Sequence, residues 1–286
     1  MKYGVVDIGS NSVRLMISND DLTESKFVKT TRLAENMGDS CVLQFEPMNR
    51  TAQAVSFFVN QAKDMGVDEI YVFATAAVRQ AVNKQDFLDM VKKLCGVEID
   101  VISGEIEAKL GALGAVQNNG GIIDVGGASS EVMVIDEGRS IFSKSLNIGA
   151  VKLTDKFGND KEKIIDFVEK KIEEFGIIPK ADFFGIGGTA TTLASIDQKM
   201  KVYDPKLVHG YSISIERIKE IRDMLFSMTL EQRQRLDGLQ KERALVIPSG
   251  VALIYSILIK ANAKKIVVSE RDNLEGYLMI KRRGNE

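Results

Sequence analysis

The chain has 286 residues, enough for two medium domains that each bury a core. Apolar residues make up 44% and charged residues 27%, which excludes a disordered or fibrous chain. A net charge of −2 excludes a globally basic binder of nucleic acid or membrane, so a polyanionic ligand would need a local basic pocket.

In chain order, Lys2–Ile8 is an apolar run that reads as a strand. A turn of Gly9, Ser10, Asn11 and Ser12 leads to a returning strand over 13–18. A third strand is expected over 26–33. Residues 49–65 set Ala52, Val55, Phe58 and Val59 on one helical stripe. A buried-type strand over 70–74, a helix over 85–94 and a strand over 97–102 follow. Ser103 is a fitting N-cap for a helix over 105–118. In that helix Ile106, Leu110 and Leu113 form the expected core stripe, while Glu107, Gly111 and Gly114 share another face.

The pattern then restarts. Strands are expected over 122–125, 131–135 and 140–146, then a helix over 161–175, the strand Phe183–Ile186 and a helix over 189–196. Helices over 215–228 and 244–261, a strand over 266–269 and a helical stretch over 274–281 complete it. The restart is also a sequence repeat. Residues 4–20 and 121–137 align without a gap at an offset of 117, with Gly4/Gly121, Asp7/Asp124, Gly9/Gly126, Ser12/Ser129 and Met16/Met133 identical. A strand–turn–strand unit that occurs twice predicts two related α/β domains, 1–119 and 120–273, packed around a cleft.

Each turn offers free backbone N–H groups and hydroxyls, with an Asp at its mouth. That composition suits a phosphate and its metal ion. In the first turn, Arg14 follows on the return strand; in the second, Gly126-Gly127-Ala128-Ser129-Ser130, Glu131 takes that place. Asp124 and Glu131 are hard oxygen donors brought to one end of a hairpin, which fits Mg²⁺; Asp7 holds the matching place in the first copy. A third glycine turn, with Gly187, Gly188 and Thr189, feeds a helix N-terminus. It reads either as an anion site or as close strand–helix packing with Thr189 as N-cap. Arg79 follows a buried strand end, where it reads either as a phosphate ligand or as an ordinary surface arginine. Glu107 reads either as a cleft carboxylate or as a solvated one, the helix glycines implying a close approach on its face. Cys41 and Cys95 lie in unrelated contexts and read as reduced, partly buried thiols, and the one histidine, His209, reads as a turn residue. No apolar run reaches the ~18 residues of a membrane span, and no leader precedes the first strand, so a cytoplasmic location is expected.

Taken as a set, Val6-Asp7-Ile8-Gly9-Ser10-Asn11-Ser12, Arg32-Leu33, Ala74-Thr75-Ala76 with Arg79 and Asn83, Ile102-Ser103-Gly104 through Glu107-Ala108, Asp124-Val125-Gly126-Gly127, Gly187-Gly188-Thr189 and Glu242-Arg243-Ala244 resemble the exopolyphosphatase / guanosine pentaphosphate phosphohydrolase family. The resemblance implies two duplicated ribonuclease H-like domains of the actin-like group, the first completed by a C-terminal helix over 274–286. It places Glu107 at the position of a water-activating glutamate, Asp124 and Glu131 at Mg²⁺-associated positions, and Arg79 and the small-residue turns at phosphate-holding ones. It implies hydrolysis of terminal phosphate from inorganic polyphosphate or guanosine pentaphosphate, with no nucleic-acid or membrane partner and with a homodimer left open. Ala128 replaces the usual third glycine of the second turn, Ile106 the first member of a Glu-Glu pair, and Leu274 the Arg of an Arg-Glu-Gly. Two rival functions remain: an actin-like kinase or ATPase with a nucleotide pocket near 187–192, and a guanosine tetraphosphate or polyphosphate sensor without turnover.

Overall fold

A computed structural model describes residues 1–20, 22–38, 40–116 and 119–284. The first hairpin is β1 (Lys2–Ile8) and β2 (Ser12–Asn19), extended by β3 (Leu22–Thr30). Then come α1 (Phe45–Asp64), β4 (Glu69–Ala74), α2 (Ala76–Gln80), α3 (Lys84–Cys95) and β5 (Asp100–Val101). After α4 (Gly104–Ala115) the second hairpin pairs β6 (Gly120–Val125) with β7 (Ser130–Asp136), followed by β8 (Arg139–Leu146). The remaining elements are α5 (Ala150–Phe157), α6 (Lys161–Ile172), β9 (Phe183–Ile186), α7 (Gly187–Asp197), α8 (Pro205–Val208), β10 (Ser212–Ser214), α9 (Ile215–Ser227), α10 (Leu230–Arg233), α11 (Ile247–Lys260), β11 (Lys265–Val268) and α12 (Asn273–Gly284).

The sheets run β3-β2-β1-β4-β5 and β10-β11-β9-β6-β7-β8. Read from β8 inward, the second repeats the order of the first and adds β10 at its edge. In both, the hairpin is antiparallel and the next strand joins the first in parallel. The expected α/β architecture of two duplicated domains is therefore present.

Period-2 alternation decides which way the acids point. In β1, Val6 and Ile8 pack with Val55, Phe58 and Val59 of α1, whereas Tyr3 and Val5 pack on the other face with Leu110 of α4 and Tyr277 of α12. Asp7 is two residues beyond Val5 and shares its face. In β6, Ile123 and Val125 join the core under α11, while Ile122 packs with Ala108 and Ala112 of α4. Asp124 falls on the face of Ile122. Helix α4 is thus wedged between the two sheets, and both aspartates point towards it.

That wedge overturns the expected core stripe of α4. Leu110 is buried, but Ile106 is 44% exposed and Leu113 only half-buried. The side buried deepest carries Gly111 and Gly114 instead. A Cβ on Gly111 would collide with Ile186, and one on Gly114 with the Asp272 carbonyl. Ser103 caps the helix as expected, its hydroxyl accepting from the Ile106 N–H at 3.1 Å. Residues 117–118, at the end of the expected helix, lie outside the described residues.

The third strand ends at Thr30 because the Thr31 and Arg32 N–H groups both donate to the Asn11 carbonyl, and Arg32 turns left-handed at φ 52°. The strand over 97–102 shrinks to two residues. The helix over 244–261 begins only at Ile247, with Pro248 in its first turn, after a 3₁₀ turn over Lys241–Arg243. Helices α2, α5, α8 and α10 and strand β10 have no counterpart among the expected elements; all are short, and short elements carry little periodic signal.

Helix α12 lies across α4 so closely that a Cβ on Gly276 would overlap the Leu110 carbonyl. Gly276→Ala is expected to lower unfolding stability by ~1–3 kcal/mol, because backbone rather than a movable side chain must give way. A urea titration followed by circular dichroism reads this as a lower midpoint.

Candidate active site

The two hairpin turns close in the same way. Gly9 N–H donates to Ser12 O, and Gly126 N–H to Ser129 O, both at 3.0 Å. They face each other closely enough that a Cβ on Gly127 would lie 2.8 Å from Ser10 Cβ. The third turn comes in beneath them. Gly187 is left-handed at φ 73°, and a Cβ there would sit 2.7 Å from Asp124 Oδ1. Thr189 is not the N-cap of α7, a position taken by Ile186. Its hydroxyl donates to the Val125 carbonyl at 2.7 Å, tying the helix to the second hairpin.

One cleft is lined by all three turns, including Gly9, Ser10, Asn11, Ser12, Gly126, Gly127, Ser129, Gly187, Gly188 and Thr189, together with Asp7, Arg14, Glu107 and Asp124. Two sequence-selected residues stand behind this wall. Arg79 binds Glu107 Oε2 at 2.8 Å and the Ile102 carbonyl at 3.0 Å, so its guanidinium is spent on Glu107. Glu131 is fully buried behind Asp124, its register partner, and accepts from the Ser145 hydroxyl at 2.7 Å. His209 follows the short α8, and its Nδ1 accepts from the Glu270 N–H at 3.3 Å; it is not among the residues that line the cleft. Three polar wall residues lie outside the site read from the sequence, Thr75, Arg243 and Asn273, and so does Asp272, which is bound to Arg14 beneath the wall. Arg243 stands within a motif that carried the resemblance, without a role attached. Asp272 and Asn273 sit where the last strand passes into α12, a place with no local pattern.

The electrostatics follow from burial. Arg14 is the register partner of Asp7; its Nε and Nη2 donate to Asp7 Oδ2 at 3.0 and 2.5 Å, and its Nη1 is bound to Asp272. Burial works against the ionised Asp272, but Arg14 and Lys26 outweigh it and hold that carboxyl below its usual range. Asp7 goes the other way: desolvation prevails over Arg14 and raises it. Glu107 is raised by desolvation, with Arg79 opposing. Desolvation and then the neighbouring Glu107 push Asp124 up to about 8. Glu131 is raised well above the ordinary carboxylate range by desolvation, then by Glu107 and Asp124. Arg243 is held down at about 10 by desolvation and by Arg14; its Nε donates to Gln240 Oε1 at 3.2 Å, and no carboxylate pairs with it among the described residues.

Crowded carboxylates short of counter-charge are what a cation would relieve. Asp7 Oδ1, Glu131 Oε2 and Asn273 Oδ1 are buried without hydrogen-bond partners. These hard oxygens fit Mg²⁺. Among the described residues no three acidic, imidazole or thiol groups converge into a cage, so such an ion would draw most of its ligands from water and phosphate.

The Ppx/GppA phosphatase family model matches residues 18–281. The chain belongs to the Ppx/GppA phosphatase family. The crystal structure of the Aquifex aeolicus Ppx/GppA family member superposes with a TM-score of 0.80 at 27% identity, covering 100% of this chain and 99% of that one. An exopolyphosphatase from Cytophaga hutchinsonii shares the fold with a TM-score of 0.87 at 23% identity, over 99% and 98% of the two chains. A bifunctional 3-dehydroquinate synthase/phosphatase from Fusobacterium nucleatum is 31% identical over 96% of this chain but only 46% of its own length. The chain thus spans about half of that curated relative. Among the described residues no helix is long and apolar enough to cross a membrane.

The raised Asp124 makes the metal-free protein pH-sensitive in a defined sense. Its folded value of about 8 lies above the ordinary 3.8, so between these the native state holds a proton that the unfolded chain has released. The associated stability is complete below about pH 4 and is lost as pH rises towards 8. Asp124→Asn, unfolded by urea in EDTA, is expected to lose less stability than wild type over that window. A parallel decline in both proteins would mean that Asp124 is ionised throughout.

Proposed function

We propose that this protein is a phosphoanhydride hydrolase that releases terminal phosphate from inorganic polyphosphate or guanosine pentaphosphate. The observation that carries this reading is Glu107 on the wall of a cleft whose other walls are glycine-rich turns. The Gly9–Ser12 and Gly126–Ser129 turns would receive the terminal phosphoryl group through backbone N–H groups and hydroxyls. Arg243, with no carboxylate of its own, and Arg14, anchored between Asp7 and Asp272, would add positive charge beside it. Gly188 and Gly187 let the third turn approach that phosphate with backbone alone.

Glu107 would act on water. Burial raises its pKa and makes it a stronger base than an ordinary carboxylate, and Arg79 fixes one carboxylate oxygen so that the other is left for the cleft. The water oxygen bonds to the terminal phosphorus as the bridging P–O bond breaks, and its proton passes to Glu107. The leaving phosphate chain departs with the electron pair of the bridging bond. Asp7 and Asp124 would hold Mg²⁺ at the cleft, with Glu131 adding negative charge behind Asp124. When bound, the ion offsets charge on the phosphate oxygens.

The test is phosphate release in Mg²⁺ from polyphosphate, guanosine pentaphosphate and ATP in parallel. Glu107→Gln is expected to fold, to keep binding polyphosphate and to lose turnover by roughly 10²–10⁴-fold. Wild-type turnover in that variant would remove Glu107 from the chemistry. A dominant ATP activity would point instead to an actin-like ATPase or kinase, and binding without any release to a sensor.

A further inference from the structure

Helix α12 starts beside the cleft, and its first residue carries a side chain that the helix itself does not require. Asp272 caps the helix. Its Oδ1 accepts from the Leu274 N–H at 3.0 Å, and its own N–H donates to Glu275 Oε2 at 3.1 Å. Asn273 follows as the first helical residue, where an asparagine has no capping bond left to make and is a weak helix former. Its side chain nevertheless lines the cleft and is only 3% exposed. The Nδ2 donates to Asp124 Oδ2 at 3.3 Å. The Oδ1 lies over Gly111 of α4, where a Cβ would be 3.0 Å away, and is buried without a partner. An amide with one half unsatisfied adds little to stability, whereas an apolar side chain of similar shape would leave no orphaned carbonyl. The bond to Asp124 is what accounts for the amide.

The acids of the cleft differ in how they are held. Asp7 and Asp272 share Arg14, and Glu107 is fixed by Arg79. Asp124 makes no ion pair among the described residues, and Asn273 is its one hydrogen-bond donor there. With Oδ2 held by the amide, Oδ1 is turned to the third glycine turn, where any Cβ on Gly187 would lie 2.7 Å away. Bare backbone at Gly187 and a neutral donor at Asn273 thus fix the carboxylate without neutralising it. A lysine or arginine in place of the amide would cancel the charge that attracts a cation.

We propose that Asn273 is a positioning residue of the metal site, whose Nδ2 orients Asp124 so that Oδ1 stays available to Mg²⁺ at the cleft. This rests on the metal-assisted reading above and adds to it a residue of the last helix. Metal affinity then depends on the docking of α12 against α4, where Gly111 and Gly114 leave the room that Asn273 and the Asp272 carbonyl occupy.

The test counts bound Mn²⁺, which takes the same oxygen ligands as Mg²⁺, by electron paramagnetic resonance, with and without inorganic phosphate. Wild type is compared with Asn273→Leu and Asn273→Ala, neither of which can donate to Asp124. Mn²⁺ affinity is expected to fall roughly 10–100-fold in both. In EDTA, the urea midpoint of Asn273→Leu should stay at or above the wild-type value, because the orphaned carbonyl is gone. Equal Mn²⁺ affinity in the folded variants overturns the proposal. So does weaker binding with a lowered midpoint in both variants, which traces the loss to disturbed packing. If wild type releases phosphate from none of polyphosphate, guanosine pentaphosphate and ATP, the hydrolase reading fails by itself, and Mn²⁺ binding still decides the place of Asn273. Wild type that binds no Mn²⁺ in either buffer rejects the metal site and the role of Asn273 together.

Discussion

Everything at the centre of this molecule depends on burying carboxylates with too few cations to match them. Asp7, Glu107, Glu131 and Asp272 are all less than a tenth exposed, and Asp124 is only half-buried beside them. Arg14 serves two of the five and Arg79 a third. Leaving charge uncompensated away from water is costly, so the group either takes up protons or waits for a cation. The fold tolerates this because the acids are fixed by extensive surroundings: strand register sets Asp7 against Arg14 and Asp124 against Glu131, and α4 carries Glu107 between both sheets.

The same register explains how a duplicated unit became two different halves. Arg14 and Glu131 occupy equivalent strand positions, one neutralising its aspartate and the other adding to the negative charge. One substitution at a single repeat position therefore gives the cleft an arginine-buffered side and an acidic side. Glycine supplies the remaining requirement, which is distance. Gly127 against Ser10 marks where the two halves come close enough to address one small group, and Gly187 against Asp124 where the third turn closes on the second hairpin.

Much of this was legible in the sequence because repetition and alternation are strong signals. The 117-residue offset located both hairpins, and the small-polar turns identified most of the cleft wall. Legibility failed where tertiary context overrode local pattern. Ile106 reads as core by spacing, yet α4 has sheets on two sides and buries its glycines instead. Arg79 sits at a strand end suited to a ligand but is drawn to Glu107, a partner 28 positions away. Arg243 comes from a short 3₁₀ turn, and Asp272 and Asn273 from the start of the last helix; nothing local announces that these segments return to residues near the N-terminus.

That return has a consequence for how the protein is made. Tyr3, Val5 and Met16 form one core with Leu274, Tyr277 and Leu278, so β1 and β2 share a packed surface with α12, about 260 residues further along the chain. During synthesis, that face of the first sheet stays open until residues 274–278 have emerged. The second sheet assembles in the meantime from residues that are contiguous in the chain. The first sheet thus carries an unfinished apolar face while the second forms, and closing it also brings Asp272 to Arg14. Completion of the core and assembly of the cleft are a single event.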